Sequence, residues 1–385
     1  YRPVSLTSIV CKMLESIIKD AIYIHMKNNK LFSKKQFGFL KGRSTVLQLL
    51  ITIDNWTKIL DDGGEIDVVY FDLMKAFDKV PHDKLLAKLK NYNLHPLAVN
   101  WIKSFLSNRR QRVVVNGHKS KWSEVTSGVP QGSILGPLLF ILYINDLPDV
   151  AMSDIILFAD DTKLYSCVKN QADQEVIQED IEKMNVWSSK WSLKFHPDKC
   201  KIMHIGRKID KFEYKMNGNK MNYTNDECDL GLNIDDELKF EAHINIKVKK
   251  ANQMMGLIRR TFTYLDKKTF PILFKAFVRP QIEYANSVWY AHLKRTKVEI
   301  ENVQRRATKS IGCCKGKSYP ERLKYLNLPC LAYRKLRGDM IEVFKLLNDH
   351  YDEEVENPII NLITNEGRTR GNSKKLRKTT GTELR

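Results

Sequence analysis

Apolar residues recur three and four apart over residues 5–29, at Leu6, Val10, Leu14, Ile17, Ile18 and Ile22. That period predicts an amphipathic helix with this stripe turned inward. A second helix is expected from about Val46 to Leu60, ended by the turn Asp61-Asp62-Gly63-Gly64. A strand is then expected from about Ile66 to Phe71, where the apolar run Val68-Val69-Tyr70-Phe71 reads as buried. Pro81 opens a helix to about Tyr92, since proline is tolerated where its missing N–H has no partner anyway. Another helix is expected over 97–107, and Arg112–Val115 with Lys121–Val125 around Asn116-Gly117 predict a hairpin. Ser133 is placed to cap a helix running to about Leu147. Residues 155–166 read as strand, Asp-Asp turn, strand. A helix over 173–190 follows, with Ile177, Ile181, Met184 and Trp191 on or near one face, then short strands around 193–195 and 201–205. This order predicts an α+β layer in which an antiparallel sheet is backed by helices. From about His243 the pattern is helical, over 243–262, 267–278, 297–311 and 332–349.

Three aspartates stand where expected strands end. Asp72 follows Val68-Val69-Tyr70-Phe71, and Asp160-Asp161 follow Ile155-Ile156-Leu157-Phe158-Ala159, 88 residues later. An Asp-Asp pair in a turn is commonly no more than solvated turn residues. Here apolar residues flank the pair on both sides, which puts it at a hairpin tip held by buried strands. If the two strand systems pair, three carboxylates meet at one sheet edge. Their mutual repulsion then calls for cations, and an oxygen-only donor set suits Mg²⁺. Two such ions can serve an in-line phosphoryl displacement, which points to nucleotide polymerisation.

Composition narrows the partners. Of the net charge of +19, residues 201–385 hold +14 and residues 1–200 hold +5. A back half this basic suits a polyanion, most simply nucleic acid. Its arginine pairs Arg259-Arg260 and Arg305-Arg306 are candidate nucleic-acid contacts. The seven cysteines include no Cys-x-x-Cys, so neither a disulfide framework nor a zinc module is indicated, and a reducing compartment fits. No apolar run is long enough to span a membrane. Trp289 and Tyr290 could stack on bases, though aromatics in helices more often serve the core. Lys374-Lys375-Leu376-Arg377-Lys378 lies in a polar, basic tail expected to be disordered. The chain opens on Tyr1 inside a patterned segment, so it is expected to be a fragment of a longer polyprotein.

Several motifs together resemble a known family. Phe71-Asp72-Leu73-Met74-Lys75-Ala76-Phe77-Asp78-Lys79-Val80 is similar to the first catalytic motif of reverse transcriptases. Ser127-Gly128-Val129-Pro130-Gln131-Gly132-Ser133 is similar to their glycine loop, and Phe158 to Tyr165 to their second catalytic motif. Tyr1-Arg2-Pro3-Val4-Ser5-Leu6 and Gln36-Phe37-Gly38-Phe39 to Thr45 resemble the finger motifs upstream. The segments Val278 to Ala285 and Val303-Gln304-Arg305-Arg306-Ala307 are similar to the region after the thumb. The motifs come in the family's order over about residues 1–350, and the particular resemblance is to non-LTR, jockey-like retrotransposon enzymes.

The resemblance implies a right-hand polymerase: fingers at 1–60, palm at 61–237, a helical thumb and extension at 238–350, and a tail at 351–385. Asp72, Asp160 and Asp161 would hold two Mg²⁺, or Mn²⁺ as a substitute, with the Leu73 carbonyl as a further ligand. Gln131 and Gly132 would border nucleotide and template, glycine letting backbone approach a ligand closely. Arg2, Lys41 and Arg43 are candidates for the triphosphate, and Lys199 for protonating pyrophosphate. Leu230-Gly231-Leu232 matches the primer grip. Phe77 would exclude the ribose 2′-hydroxyl and so select deoxynucleotides. The implied partners are an RNA template, a DNA primer or target and dNTPs, in the nucleus or cytoplasm. Two alternatives remain open here: an RNA-templated RNA polymerase, and a non-catalytic relic that binds nucleic acid.

Overall fold

Burial along the chain explains the architecture of this computed structural model, which describes residues 4–206, 211–289, 294–348 and 350–355. Arg2, Tyr290 and Lys374–Lys378 lie outside the described residues. The chain divides into two compact units, Tyr1–Thr45 with Asp62–Thr224 and Val46–Asp61 with Asn225–Arg385.

In the first unit α1 (Ile9–Asn28) precedes β1 (Glu65–Phe71), while the intervening α2 (Thr45–Asp61) groups with the second unit. Next come α3 (Ala76–Lys79), α4 (His82–Asn91), α5 (Pro96–Leu106) and a ribbon of four two-residue strands, β2 (Arg110–Gln111), β3 (Val114–Val115), β4 (His118–Lys119) and β5 (Ser123–Glu124). Then follow α6 (Gly136–Tyr143), β6 (Asp154–Phe158), β7 (Asp161–Val168), α7 (Gln171–Trp191) and β8 (Lys201–Ile205). The small strands β9 (Lys215–Met216), β10 (Asn219–Lys220) and β11 (Asn222–Tyr223) close the unit. The main sheet runs β11-β8-β1-β7-β6. β1 lies at its centre, antiparallel to both β7 and β8, and is buried nearly throughout, its apolar residues Val68 and Val69 and the acids Glu65 and Asp67 alike. The sheet is not wholly antiparallel, because β11 adds to β8 in parallel.

The helices behind this sheet follow their sequence patterns. In α6 every residue but Pro137 is buried, as expected of a helix apolar on all sides. On α7, Ile177, Ile181 and Met184 face the core, and Asn170 supplies a reciprocal capping box with Asp173. Ser133 does not sit at the N-cap of α6, which is Leu135, but its hydroxyl still accepts from the Gly136 N–H at 2.9 Å. That helix ends at Tyr143, short of Leu147. Pro81 is the residue before α4 rather than its first residue. Residues 193–195 form no strand, only a single bridge from Phe195 to Leu73.

The first helix is present but turned. Its buried residues are Glu15, Ile22, Tyr23 and Met26, while Val10, Leu14 and Ile17 are exposed. The reason is Glu15. Its fully buried carboxylate accepts the N–H groups of Ile134 and Leu135 at 2.8 and 3.0 Å, where α6 begins. A helix start offers unpaired N–H donors and a positive dipole end, so this anion fixes which face of α1 looks inward.

The second unit contains α2, the hairpin β12 (Asp226–Asp229) and β13 (Leu232–Asp235), and α8 (Glu241–Thr261). It continues with α9 (Thr269–Leu273), a π-helical stretch over Phe274–Val278, α10 (Arg279–Glu283) and α11 (Asn286–Trp289). The last helices are α12 (Lys294–Lys309), α13 (Tyr319–Leu326) and α14 (Leu331–Leu347). The expected helix over 267–278 is thus broken into pieces, and Pro280 within Arg279–Glu283 denies its turn a backbone donor. Leu230-Gly231 is the β12–β13 turn, both residues at positive φ. The unit boundaries at 45/62 and 224/225 differ from the 60/61 and 237/238 divisions expected, because α2 and the β12–β13 hairpin group with the helical unit. The class is α+β, as the residue pattern requires.

At the start of β1 two acids are buried. His204 on β8 meets Asp67 through Nδ1 at 2.6 Å and Glu65 through Nε2 at 3.0 Å, and the Tyr214 hydroxyl donates to Asp67 at 2.6 Å. The hydrogen bond and charge of Asp67, aided by Glu65, raise the His204 pKa above its ordinary value despite burial. The imidazolium is therefore bound more tightly in the folded state than in the unfolded one. The stabilisation it gives is complete below the ordinary histidine pKa of about 6.5 and is lost as pH rises through the higher folded value. Urea unfolding between pH 6 and pH 9 should show this loss, and His204→Gln should remove most of the pH dependence. An equally steep pH dependence in that variant would disprove the assignment.

Candidate active site

Strand register brings the three aspartates to one end of the sheet. Phe71, the last residue of β1, pairs with Thr162 of β7, so Asp72 emerges beside the β6–β7 hairpin. In that hairpin Phe158 pairs with Asp161, which leaves Ala159 and Asp160 as a two-residue turn. Such a turn needs positive φ at its tip. Ala159 supplies it at 55°, a conformation that costs a residue with a Cβ roughly 1–2 kcal/mol.

Residues 35–38 hold the strained turn in place. The Gln36 side-chain oxygen accepts the Ala159 N–H at 2.9 Å and the Gly38 N–H at 2.7 Å. Phe37 donates to the Leu157 carbonyl at 2.7 Å, and Leu157 donates to the Lys35 carbonyl at 2.9 Å. Gly38 approaches so closely that a Cβ there would lie 2.4 Å from the Ala159 nitrogen.

Asp72 is fixed by its backbone. Its N–H faces the Cys200 sulfur at 3.5 Å, and its carbonyl accepts the His196 N–H at 2.8 Å. The buried Leu73 forms the bridge to Phe195. The Lys199 ammonium lies 3.4 Å from the Asp72 carboxylate, both side chains substantially exposed. An ion pair so open to water contributes little to stability, so Lys199 can leave Asp72 at small cost. Among the described residues no group of three His, Cys, Asp or Glu side chains is gathered closely enough to cage a metal ion. Mg²⁺ is usually bound by one or two carboxylates, waters and substrate phosphates rather than by an all-protein cage, so an oxygen-only, open-ended set of acids fits it.

The glycine loop is joined to the Asp72 segment by a run of bonds. Gly128 donates to the Val80 carbonyl and Val129 to the Phe77 carbonyl, each at 2.8 Å, and the Ser127 hydroxyl donates to the Asp78 carbonyl at 2.9 Å. Gly128 sits at φ +88°, and a Cβ there would fall 2.7 Å from the Asp78 backbone. The Gln131 amide donates to the Asp78 carboxylate at 3.1 Å. At Gly132 the close neighbours are the chain's own Ser5 carbonyl and Val4 side chain. Phe77 stacks on the fully buried Phe140 with centroids 4.4 Å apart and meets the half-exposed Phe39 edge-on at 6.2 Å. Its ring therefore lies at the rim of the core, with a packing role whatever else it does.

Other expected residues fall elsewhere. Arg43 is buried, and its guanidinium donates to the carbonyls of Ser33, Lys34 and Gln36 at 2.8, 3.3 and 2.6 Å. Those bonds shape the loop that carries Gln36, which makes Arg43 a structural residue rather than a free phosphate ligand. Lys41 is exposed, its ammonium 5.3 Å from the Tyr23 ring centre. Arg2 lies outside the described residues. In the second unit Arg259 and Arg260 are exposed at the C-terminal turn of α8, where cations also favour the helix dipole. Arg305 and Arg306 are exposed on α12, with Arg305 5.1 Å from the Tyr319 ring centre, while Trp289 is buried in the core. Sequence reasoning assigned no role to Gln36, Asp78 or Glu15. Each acts by a contact far along the chain, so spacing gave no signal beyond the motifs in which Gln36 and Asp78 stand.

The chain belongs to the reverse transcriptase (RNA-dependent DNA polymerase) family, whose model matches residues 1–265. It is 29% identical over 335 residues to the "Probable RNA-directed DNA polymerase from transposon BS" of Drosophila melanogaster, covering 82% of this chain and 36% of that protein. It is also 29% identical over 321 residues to the RNA-directed DNA polymerase from mobile element jockey of Drosophila funebris, covering 77% and 34%. The chain thus spans about a third of the length of these relatives. A solved telomerase from Candida albicans, in complex with a fragment of telomeric RNA, overlays with a TM-score of 0.46 and 10% identity, over 82% of this chain and 58% of that one.

If Gly38 is there because backbone must pass against Ala159, adding one methyl should be costly. Gly38→Ala is expected to destabilise the first unit by about 1–3 kcal/mol, the usual range for overpacking. Urea denaturation followed by circular dichroism measures this. A neutral or stabilising outcome would show that the 2.4 Å approach is not a constraint in solution.

Proposed function

We propose that this chain carries the polymerase core of a non-LTR retrotransposon's RNA-directed DNA polymerase, adding deoxynucleotides to a primer 3′-hydroxyl on an RNA template. The observation that supports it most is the register that brings Asp72, Asp160 and Asp161 to one sheet end within a chain of the reverse transcriptase family. Residues 61–237 would be the palm, the segment before them the fingers, and 238–350 the thumb with its extension. Asp72, Asp160 and Asp161, with the Leu73 carbonyl, would hold two Mg²⁺ or Mn²⁺. Bound there, the ions would lower the pKa of the primer hydroxyl and neutralise charge on the departing pyrophosphate.

This chain's own groups supply the rest. The Gln36–Ala159 bond keeps the Asp160-Asp161 turn from relaxing, which would hold the two acids in place at the hairpin tip. Gln131, tied to Asp78, would orient the nucleotide against the Asp72 segment. Lys199, within reach of Asp72, would move to the pyrophosphate and give it a proton. Lys41 and Arg2 remain candidates for the triphosphate. The exposed Arg259, Arg260, Arg305 and Arg306 would contact nucleic-acid phosphates, which fix position without reading sequence.

Primer extension on an RNA template with Mg²⁺ tests the reading. Asp72→Asn should abolish extension while circular dichroism stays unchanged, because loss of one anionic ligand misplaces the ion. Near-normal extension by the folded variant would defeat the metal assignment.

Phe77 tests the choice of sugar. Shrinking its ring with Phe77→Val should lower the ratio of dNTP to NTP efficiency by at least about tenfold, or roughly 1.4 kcal/mol of discrimination. An unchanged ratio in an active enzyme would leave Phe77 only its packing on Phe140 and return weight to an RNA-polymerising role.

A further inference from the structure

Residues 110–124 are exposed without a break. They form a two-stranded ribbon in which Arg110 pairs with Glu124 and Gln111 with Ser123, then Val114 with Lys119 and Val115 with His118. Asn116 and Gly117, both at positive φ, make its tip. The two ladders are out of step by one residue, so Lys121 and Trp122 together oppose Arg112 in a bulge, which adds twist to the ribbon. Four cations, Arg110, Arg112, Lys119 and Lys121, stand on it against the single acid Glu124. None of the four forms a salt bridge among the described residues. Trp122 is 58% exposed, with the Arg112 guanidinium 4.5 Å from its ring centre.

A lone ribbon has little intrinsic stability, and this one is held at its root. Val125 donates to the Arg109 carbonyl at 2.9 Å, and the Arg109 guanidinium donates to the carbonyls of Leu106 at 3.1 Å and Gly128 at 2.8 Å. Gly128 begins the loop that carries Gln131, so the ribbon's root is fixed to the candidate site. An exposed aromatic ring amid cations that have no acid partner among the described residues matches the chemistry of an unpaired nucleic-acid strand: phosphates for the cations and a free base face for the ring. In a duplex the bases are already stacked on each other, so Trp122 favours the single strand.

We propose that the Arg110–Glu124 ribbon is a binding arm for single-stranded RNA, holding the unpaired template beside the Gln131 loop. Naming that strand a template rests on the polymerase reading, whereas the binding does not. The test uses the full 385-residue chain, without dNTPs or divalent ions, and fluorescence anisotropy on two probes. One is an RNA–DNA hybrid with a single-stranded RNA overhang, and the other is the same hybrid with blunt ends. The paired substitutions Lys119→Gln and Lys121→Gln, at exposed positions near the tip, should weaken binding to the overhung probe alone. They should also flatten its salt dependence by about 1.4 log units per decade, at ~0.7 for each phosphate that is no longer neutralised. Trp122→Ala should cost the same probe about tenfold in affinity, a typical loss for one stacked base. Unchanged affinity and salt slope on the overhung probe would overturn the arm, and equal losses on both probes would overturn its single-strand character. Primer extension run alongside separates the two claims. Extension intact with no probe difference defeats the arm alone, and a probe difference without extension leaves the arm standing while the polymerase reading fails.

Discussion

The pairing of β1 with β7 is the constraint on which the rest of the structure depends. Seven residue pairs, Glu65↔Val168 to Phe71↔Thr162, fix where each acid on β1 comes out. Side chains alternate with period two, so a slip of one residue would exchange the two faces and carry Asp72 away from the β6–β7 turn. The register is protected because β1 is buried on both sides and paired on both edges, to β7 and β8. A slip would have to break both ladders at once.

The same strand deals with negative charge in two ways. At its start, Glu65 and Asp67 are buried and share His204, with Tyr214 completing the bonds of Asp67. Burial and the neighbouring Asp67 push the Tyr214 phenol far up, so it stays a donor. Buried acids left without such partners would be costly. At its end, the partly exposed Asp72 carboxylate pairs with Lys199 in an ion pair open to water. One end of β1 thus holds its acids buried and hydrogen-bonded, and the other ends on an acid whose ion pair is open to water.

Backbone strain falls at the turn before Asp160 and Asp161. Ala159 adopts a left-handed conformation, and three features oppose its relaxation: the Gln36 acceptor, the paired Leu157 backbone and the absent side chain of Gly38. Arg43 stiffens the same segment from beneath through the carbonyls of Ser33, Lys34 and Gln36. The Gln36–Gly38 segment therefore acts on the hairpin tip, which couples two segments more than a hundred residues apart in the chain.

The sequence by itself determined the α+β class, the central buried strand, the Asp-Asp hairpin and most helices, because burial period and turn chemistry are local properties. It also carried the family, since the motifs stand intact and in order. The tertiary structure alone decided which face of α1 is buried, because the choice depends on Glu15 meeting the start of α6, an encounter that no periodicity encodes. It likewise decided that Arg43 is structural, that α2 groups with the helical unit, and that Lys88 is buried between the rings of Tyr143, Trp187 and Trp191 beside Asp146, its pKa pushed down to about 8 by burial. Long basic side chains look alike in sequence. Whether one reaches water, a ring or a row of carbonyls is fixed only when distant segments close around it, and that closure is a property of the packed chain rather than of any window of residues.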